Sequence, residues 1–322
     1  MTTSPFLSLC TADAIQHAAE QLKAGHVVAF PTETVYGLGA DAMSESAVKR
    51  IYEVKGRPTN HPLIVHVSSI NALDSWAQDV PEYAIELARS FWPGPMTLIL
   101  KRTDLAMDFI TGSQDSVGIR VPNHPIALEL LKQFELLGGQ GVAAPSANRF
   151  GHVSPTSAGA VVQEIGDYLD KGELILDGGA SNVGIESTII DCRNTLPIIL
   201  RPGVITDEMI YSAIDIDLGV TGVLDVRVSG ALEKHYAPMA KVILNQTPTQ
   251  GQAFMALSSS KTPEGVHRIS SPSDIIEFAR NLYAAMRMTD ELGFTELVVH
   301  LPEGPGIEAA LFDRLSKASK GR

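Results

Sequence analysis

The sequence predicts a mixed α/β fold in two parts, a large domain with a twisted mixed sheet and flanking helices followed by a small α/β domain. Three observations predict it. Short apolar, strand-like runs alternate with segments of helical spacing through the first two hundred or so residues. Two late runs, Ser187 to Asp191 and Ile198 to Leu200, are too close for a helical crossover and are expected to pair antiparallel, which makes the sheet mixed and not doubly wound throughout. The strand–helix pattern then restarts at Lys241, and 322 residues give room for a large unit and a small one.

In chain order, Thr11 is placed to cap a helix bearing Ile15, Ala18, Ala19 and Leu22 on one face, with Gly25 closing it and Val27 to Phe30 forming a buried strand. The run Pro31 to Gly39 reads as turns. Ser44 to Lys55 reads as a helix with Val48, Ile51 and Tyr52 inward, and Pro62 to Val67 as the next strand. Further strands are expected at Thr97 to Leu100, Val117 to Val121, Val142 to Ala144 and Leu174 to Leu176, besides the antiparallel pair. Helices are expected from Pro81, from Pro125 and after Ser154-Pro155, where proline suits a first turn. Between Thr206 and Gly230 a short helix gives way to the glycine-marked segments Gly219 to Gly222 and Ser229-Gly230, so we divide the chain into 1–206, a linker 207–240 and a small unit 241–322. That last unit reads as a strand at Val242 to Leu244, a helix from Ser273-Asp274 to about Leu292, a strand at Glu296 to His300 and a closing helix after Gly306.

The net charge of −12 argues against an unspecific nucleic-acid coat or a membrane-surface binder. Cys10 and Cys192 have no CxxC partner and the histidines form no HExxH pattern, so neither a zinc site nor a disulfide scaffold is indicated. With no basic, apolar leader and no apolar run of membrane-spanning length, a cytoplasmic protein is expected.

The chemistry concentrates between Val27 and Val67. Hydroxyls and a Gly-x-Gly follow the first strand, and Lys55-Gly56-Arg57-Pro58 forms a stiff basic elbow before the second. Backbone N–H groups, hydroxyls and two cations brought to one crevice suit a phosphate-bearing ligand. Alternation in the second strand puts Leu63, Val65 and Val67 on one face and Ile64 and His66 on the other. Arg120, inside an apolar strand, and Arg201, at a strand end, each need either an acid of the protein or an anionic ligand. Pro145-Ser146-Ala147-Asn148 after a strand, and Ser154 at a helix start, offer further anion-binding groups or simple caps. The chain has no P-loop, no dinucleotide fingerprint, no kinase set and no Gly-x-Ser-x-Gly elbow. From the residues alone this is a cation-lined anion site whose reaction stays open.

Taken in order, Pro31 to Gly39, Lys55 to Pro58, Pro62 to His66, Gly118 to Pro122, Ala144 to Asn148, Ser187 to Asp191, Leu200 to Gly203 and His235-Tyr236-Ala237-Pro238 resemble the YrdC-like family in its two-domain form, the L-threonylcarbamoyladenylate synthases. The resemblance implies a large YrdC-like catalytic domain and a small Rossmann-like C-terminal domain. It implies synthesis of threonylcarbamoyl-AMP and pyrophosphate from L-threonine, bicarbonate and ATP, assisted by Mg²⁺, for the threonylcarbamoyl modification of adenosine 37 in tRNA. By position it assigns Thr34, His66, Arg120, the Ala144 backbone and Ser187 to L-threonine. It assigns Arg57, His61, Ser116, Ser146, Ser154, Arg201 and Tyr236 to ATP, with Lys55 and Arg57 acting electrostatically on the phosphates and no nucleophile or metal ligand assigned. A downstream threonylcarbamoyl transferase complex is the implied partner, and direct contact with tRNA is left open. The linker departs from the family pattern before His235, and His61 stands where many relatives carry asparagine. The alternatives are a non-catalytic RNA-binding or regulatory YrdC-like protein, and a carbamoyl-transfer enzyme on the same domain.

Overall fold

The computed structural model describes residues 4–220, 226–230, 235–302 and 306–321. The chain opens with β1 (Leu7–Leu9), α1 (Ala12–Lys23), β2 (Val28–Phe30), β3 (Gly37–Asp41), α2 (Glu45–Lys55) and β4 (Ile64–His66). A short α3 (Leu73–Trp76), α4 (Glu82–Phe91), β5 (Met96–Lys101), a short α5 (Asp108–Thr111), β6 (Ser116–Arg120), α6 (Pro125–Leu136) and β7 (Val142–Ala143) follow. Next come α7 (Ala158–Ile165), β8 (Leu174–Asp177), β9 (Thr188–Asp191), β10 (Ile198–Arg201) and α8 (Asp207–Ile214). The remainder holds β11 (Lys241–Leu244), β12 (Ala253–Met255), β13 (His267–Ser270), α9 (Ile275–Glu291), β14 (Glu296–Val299) and α10 (Glu308–Ser319).

The caps fall where the side chains predict them. The hydroxyl of Thr11 accepts from Ala14 N–H and that of Ser44 from Ala47 N–H, each filling a donor that a helix start leaves open. Gly56 ends α2 in the left-handed conformation, at φ 60°, which turns the chain sharply between Lys55 and Arg57. Ile15, Ala18, Ala19 and Leu22 are the buried face of α1, and Pro125 opens α6.

The first ten strands form one sheet in the order β1-β8-β2-β3-β7-β4-β6-β5-β9-β10. It is mixed: β4 pairs parallel with β6 and β5 parallel with β9, whereas β2–β3, β5–β6 and β9–β10 are antiparallel. The close spacing of the last two strands thus has the consequence expected of it. The reading of Pro31 to Gly39 as turns is corrected, because Gly37–Asp41 is a fully buried strand returning antiparallel along β2. Its composition hid it. A Cβ on Gly39 would lie 2.8 Å from the Phe30 ring and 2.7 Å from Val142, so the glycines there make room for neighbouring side chains and do not mark a turn.

The last four strands form a second, wholly parallel sheet in the order β11-β14-β12-β13. Its core of Phe278, Leu282, Met286, Leu311 and Leu315 extends onto Val35, Val153, Ile185 and Tyr236 of the first part and the linker, so apolar packing joins the two halves. β12 and β13 are too short and too interrupted by turns to stand out in the sequence. Of the expected linker, residues 221–225 and 231–234, including the Thr221-Gly222 end of the first glycine-marked segment and most of the departure before His235, lie outside the described residues.

Candidate active site

One cleft, open to solvent, lies where the β2–β3 turn, the elbow after α2, the ends of β4, β6 and β10, the loop after β7 and the linker converge. All the residues assigned to substrates by resemblance line it except two: Thr34, Lys55, Arg57, His61, His66 and Arg120 do, as do Ala144, Ser146, Ser187, Arg201 and Tyr236. Ser116 opens instead on an adjoining recess, which shares Ile64 and Ser229 with the cleft. Ser154 is fully buried and donates its hydroxyl to Glu186 Oε1 at 2.6 Å.

Sheet register explains the central part. His66 and Arg120 are partners across the parallel β4–β6 pair, so imidazole and guanidinium leave the sheet side by side. Ile64 and His66 face the cleft while Leu63, Val65 and Val67 pack into the core, as alternation predicted. Burial, and then the Arg120 charge, push the His66 imidazole down to about 3, and its buried Nδ1 has no hydrogen-bond partner. The acid that Arg120 needs is present: Nη2 donates to Glu33 Oε1 at 2.6 Å and Nε to the Gly94 carbonyl at 3.3 Å. That buried ion pair fixes the guanidinium, which still reaches the cleft wall.

The other three cations have no such acid. Lys55 Nζ donates to the carbonyls of Ser146 and Asn148, both at 2.5 Å, tying the elbow to the loop after β7. Burial and the neighbouring Arg57 hold its ammonium well below the usual lysine range. Arg57 donates Nη2 to the Pro62 carbonyl at 2.9 Å, leaves Nε buried without a partner, and is pushed down to about 10 by burial. Arg201 holds the carbonyl of Ser187 through Nε and Nη2 and that of Ser229 through Nη1. Among the described residues none of the three forms an ion pair; Lys55 and Arg201 are buried and Arg57 is half-buried. Three basic side chains answered only by carbonyl and hydroxyl dipoles are a standing site for anions.

The lining also includes residues that the reading of the sequence did not assign to substrates: Thr32, Asn148, Glu186, Ser229, Gly230 and His235. Asn148 ends the Pro145 to Asn148 motif, which the sequence reading left open between anion binding and capping, and Glu186 directly precedes Ser187 in an equally ambiguous Glu186-Ser187-Thr188 run. Tyr236, at φ 60° and fully buried, stacks on Tyr283 of α9 at 5.7 Å and keeps its hydroxyl unpartnered. Gly230, at φ 83°, approaches so closely that a Cβ there would lie 2.3 Å from that hydroxyl.

The residues present do not fit a protein-held Mg²⁺. Among the described residues no group of three or more His, Cys, Asp or Glu side chains is placed around a common point. Glu186, the one carboxylate among the described residues of the cleft wall, is already taken up by Ser154, Tyr283 and Arg314.

The described residues thus form a two-sheet α/β fold with a cation-rich cleft suited to holding anionic ligands. Comparison with known proteins identifies the family. A family model described as "Telomere recombination", for the Sua5, YciO and YrdC proteins, matches residues 20–203, and one described as "Threonylcarbamoyl-AMP synthase, C-terminal domain" matches residues 205–320. A Pyrococcus abyssi protein named threonylcarbamoyl-AMP synthase is 41% identical over 95% of this chain and 94% of its own, and a Bacillus subtilis protein of the same name is 36% identical over 96% and 93%. The structure of Pyrococcus abyssi Sua5 complexed with L-threonine superposes with a TM-score of 0.86 at 37% identity, covering 98% of this chain and 96% of that one. The chain belongs to the threonylcarbamoyl-AMP synthase family and is an enzyme of the transferase class.

Proposed function

We propose that this chain makes threonylcarbamoyl-AMP and pyrophosphate from L-threonine, bicarbonate and ATP, providing the activated group for modification of adenosine 37 in tRNA by a downstream transferase complex. The observation that carries this reading is the set of ion-pair-free cations, Lys55, Arg57 and Arg201, in one cleft with the His66–Arg120 pair. Threonine is assigned to the Arg120 side, with Thr34, His66, the Ala144 backbone and Ser187 around it. Guanidinium N–H groups not used by Glu33 or Gly94 face its carboxylate. The nucleotide is assigned to Arg57, His61, Ser146, Arg201 and Tyr236, with Ser116 at the adjoining recess and Lys55 toward the phosphates. Ser154 is assigned to holding Glu186 in place of touching ATP.

The threonine amine and bicarbonate give a carbamate with loss of water, and a carbamate oxygen then displaces pyrophosphate from the α-phosphorus. Both partners are anions that repel until neutralised. Fixed cations that lose no hydration at the moment of reaction lower that barrier, and a neutral His66 beside Arg120 adds no competing positive charge. Mg²⁺ belongs to this reading as part of the nucleotide substrate. The linker residues Ser229, Gly230, His235 and Tyr236 close the nucleotide side, consistent with a lid. Mass detection of a threonylcarbamoyl adenylate from ATP, threonine and bicarbonate tests the whole reading. If ATP is turned over identically with and without threonine and bicarbonate, the reading fails.

A further inference from the structure

Among the described residues the wall of the cleft carries a single carboxylate, and its countercharge comes from the other half of the molecule. Glu186 accepts Ser154 Oγ on Oε1, and on Oε2 it accepts Tyr283 Oη and Arg314 Nε, both at 2.9 Å. Tyr283 lies on α9 and Arg314 on α10. Arg314 is completely buried, stacks its guanidinium 5.3 Å from the Tyr236 ring, and binds Asp313 through Nη1 at 2.6 Å. One turn on, Lys317 donates to the Gly230 carbonyl at 2.7 Å. From Glu186 the chain of contacts runs directly into the site, because the next residue, Ser187, takes Arg201 on both its carbonyl and its hydroxyl.

Burial would raise the Glu186 carboxyl, yet Arg314, Arg201 and Ser154 hold it down to about 2, so it is a carboxylate at every working pH. An unanswered carboxylate there would compete for Arg201 and repel any anion entering the cleft. Resting on the assignment of the cleft to ATP and threonine, we propose that Arg314 is a positioning residue of the active site. By neutralising Glu186 it leaves Arg201 free for the nucleotide, and with Lys317 it sets the linker over it. The second half of the molecule is then an electrostatic part of the catalytic machinery, and the site is incomplete without it.

The test compares wild type, Arg314→Met, Arg314→Lys and the double variant Glu186→Gln with Arg314→Met in the full chain, reading KM for ATP, kcat and thermal midpoint. Loss of Arg314 alone should raise KM for ATP by roughly tenfold or more, because it leaves a buried charge unpaired. Arg314→Lys should recover part of this. The double variant, which has no Glu186 carboxylate left to answer, should return KM to within about threefold of wild type. A normal KM in Arg314→Met, with only a lowered midpoint, overturns the proposal. So does a double variant that binds ATP as poorly as the single one. If Arg314→Met does not fold, the double variant decides alone, since restored KM supports the proposal and poor KM refutes it. Absence of product from wild type would sink the assigned reaction instead, before any variant is compared.

Discussion

Glu33 holds Arg120 in place before any ligand arrives, which gives the guanidinium two duties that must be separated. Arg120→Ala removes the proposed threonine contact and also strands a buried carboxylate. Loss of the contact should cost more than ~2 kcal/mol in kcat/KM for threonine. The double variant Glu33→Gln with Arg120→Met should recover the thermal midpoint without recovering threonine-dependent pyrophosphate release. Near-normal release by either variant would remove Arg120 from the site. His66 and His235 make a second prediction. Burial pushes both imidazoles from an ordinary 6.5 to about 3, so between these values the unfolded chain binds protons that the folded one does not. Their contribution to stability is therefore full above pH 6.5 and falls as the pH drops toward 3, and His66→Asn should reduce that slope by about one proton. Urea midpoints across this range measure it, and an unchanged slope counts against a buried neutral His66. At this scale the site was legible where a residue is costly without a partner, as for Arg120 and Arg201. It was not legible for Glu186 or Ser154, whose meaning depends on residues more than thirty positions away, Tyr283 and Arg314 on α9 and α10 among them.

Elements with local signals were readable and those without were not. α1 and α2 carry capping residues, α6 opens on a proline, all three have an apolar stripe, and the β9–β10 pairing followed from spacing alone. β3 was misread because its sequence, Gly-Leu-Gly-Ala-Asp, is selected by the bulk of Phe30 and Val142 across it and not by strand propensity. The linker shows how tightly such close approaches constrain an element. Gly230→Ala puts a side chain at φ 83° and against the Tyr236 hydroxyl, so the linker must shift where it covers the cleft. We expect KM for ATP to rise roughly tenfold, a cost of about 1–3 kcal/mol, with KM for threonine much less affected. Equal changes in both would mean that the linker does not belong to the nucleotide side.

At the scale of the whole molecule, the division into two sheets was legible from the restart of the pattern at Lys241, but their mutual dependence was not. The second sheet's core runs onto Val35, Val153 and Ile185, and α9 sends Arg280 to the Asn182 carbonyl and Arg287 to Glu164. Arg287 also meets the Val153 carbonyl, beside the loop that carries Ser154. These contacts join residues that are far apart in the chain, so no local pattern announces them. The unpaired cations of the cleft have a further consequence, for traffic in and out of it. The molecule carries a net charge of −12, so an approaching nucleotide is repelled at long range and attracted only within a Debye length of the cleft mouth, ~10 Å at 0.1 M salt. Added salt should therefore raise the association rate of ATP by screening the outer repulsion, and raise the dissociation rate more by weakening its hold on Lys55, Arg57 and Arg201. Stopped-flow binding at two salt concentrations would show both rates rising, and a falling association rate would mean that the cleft's own field already reaches past the acidic surface. Nucleotide exchange, more than nucleotide occupancy, is then the quantity that the ionic surroundings control.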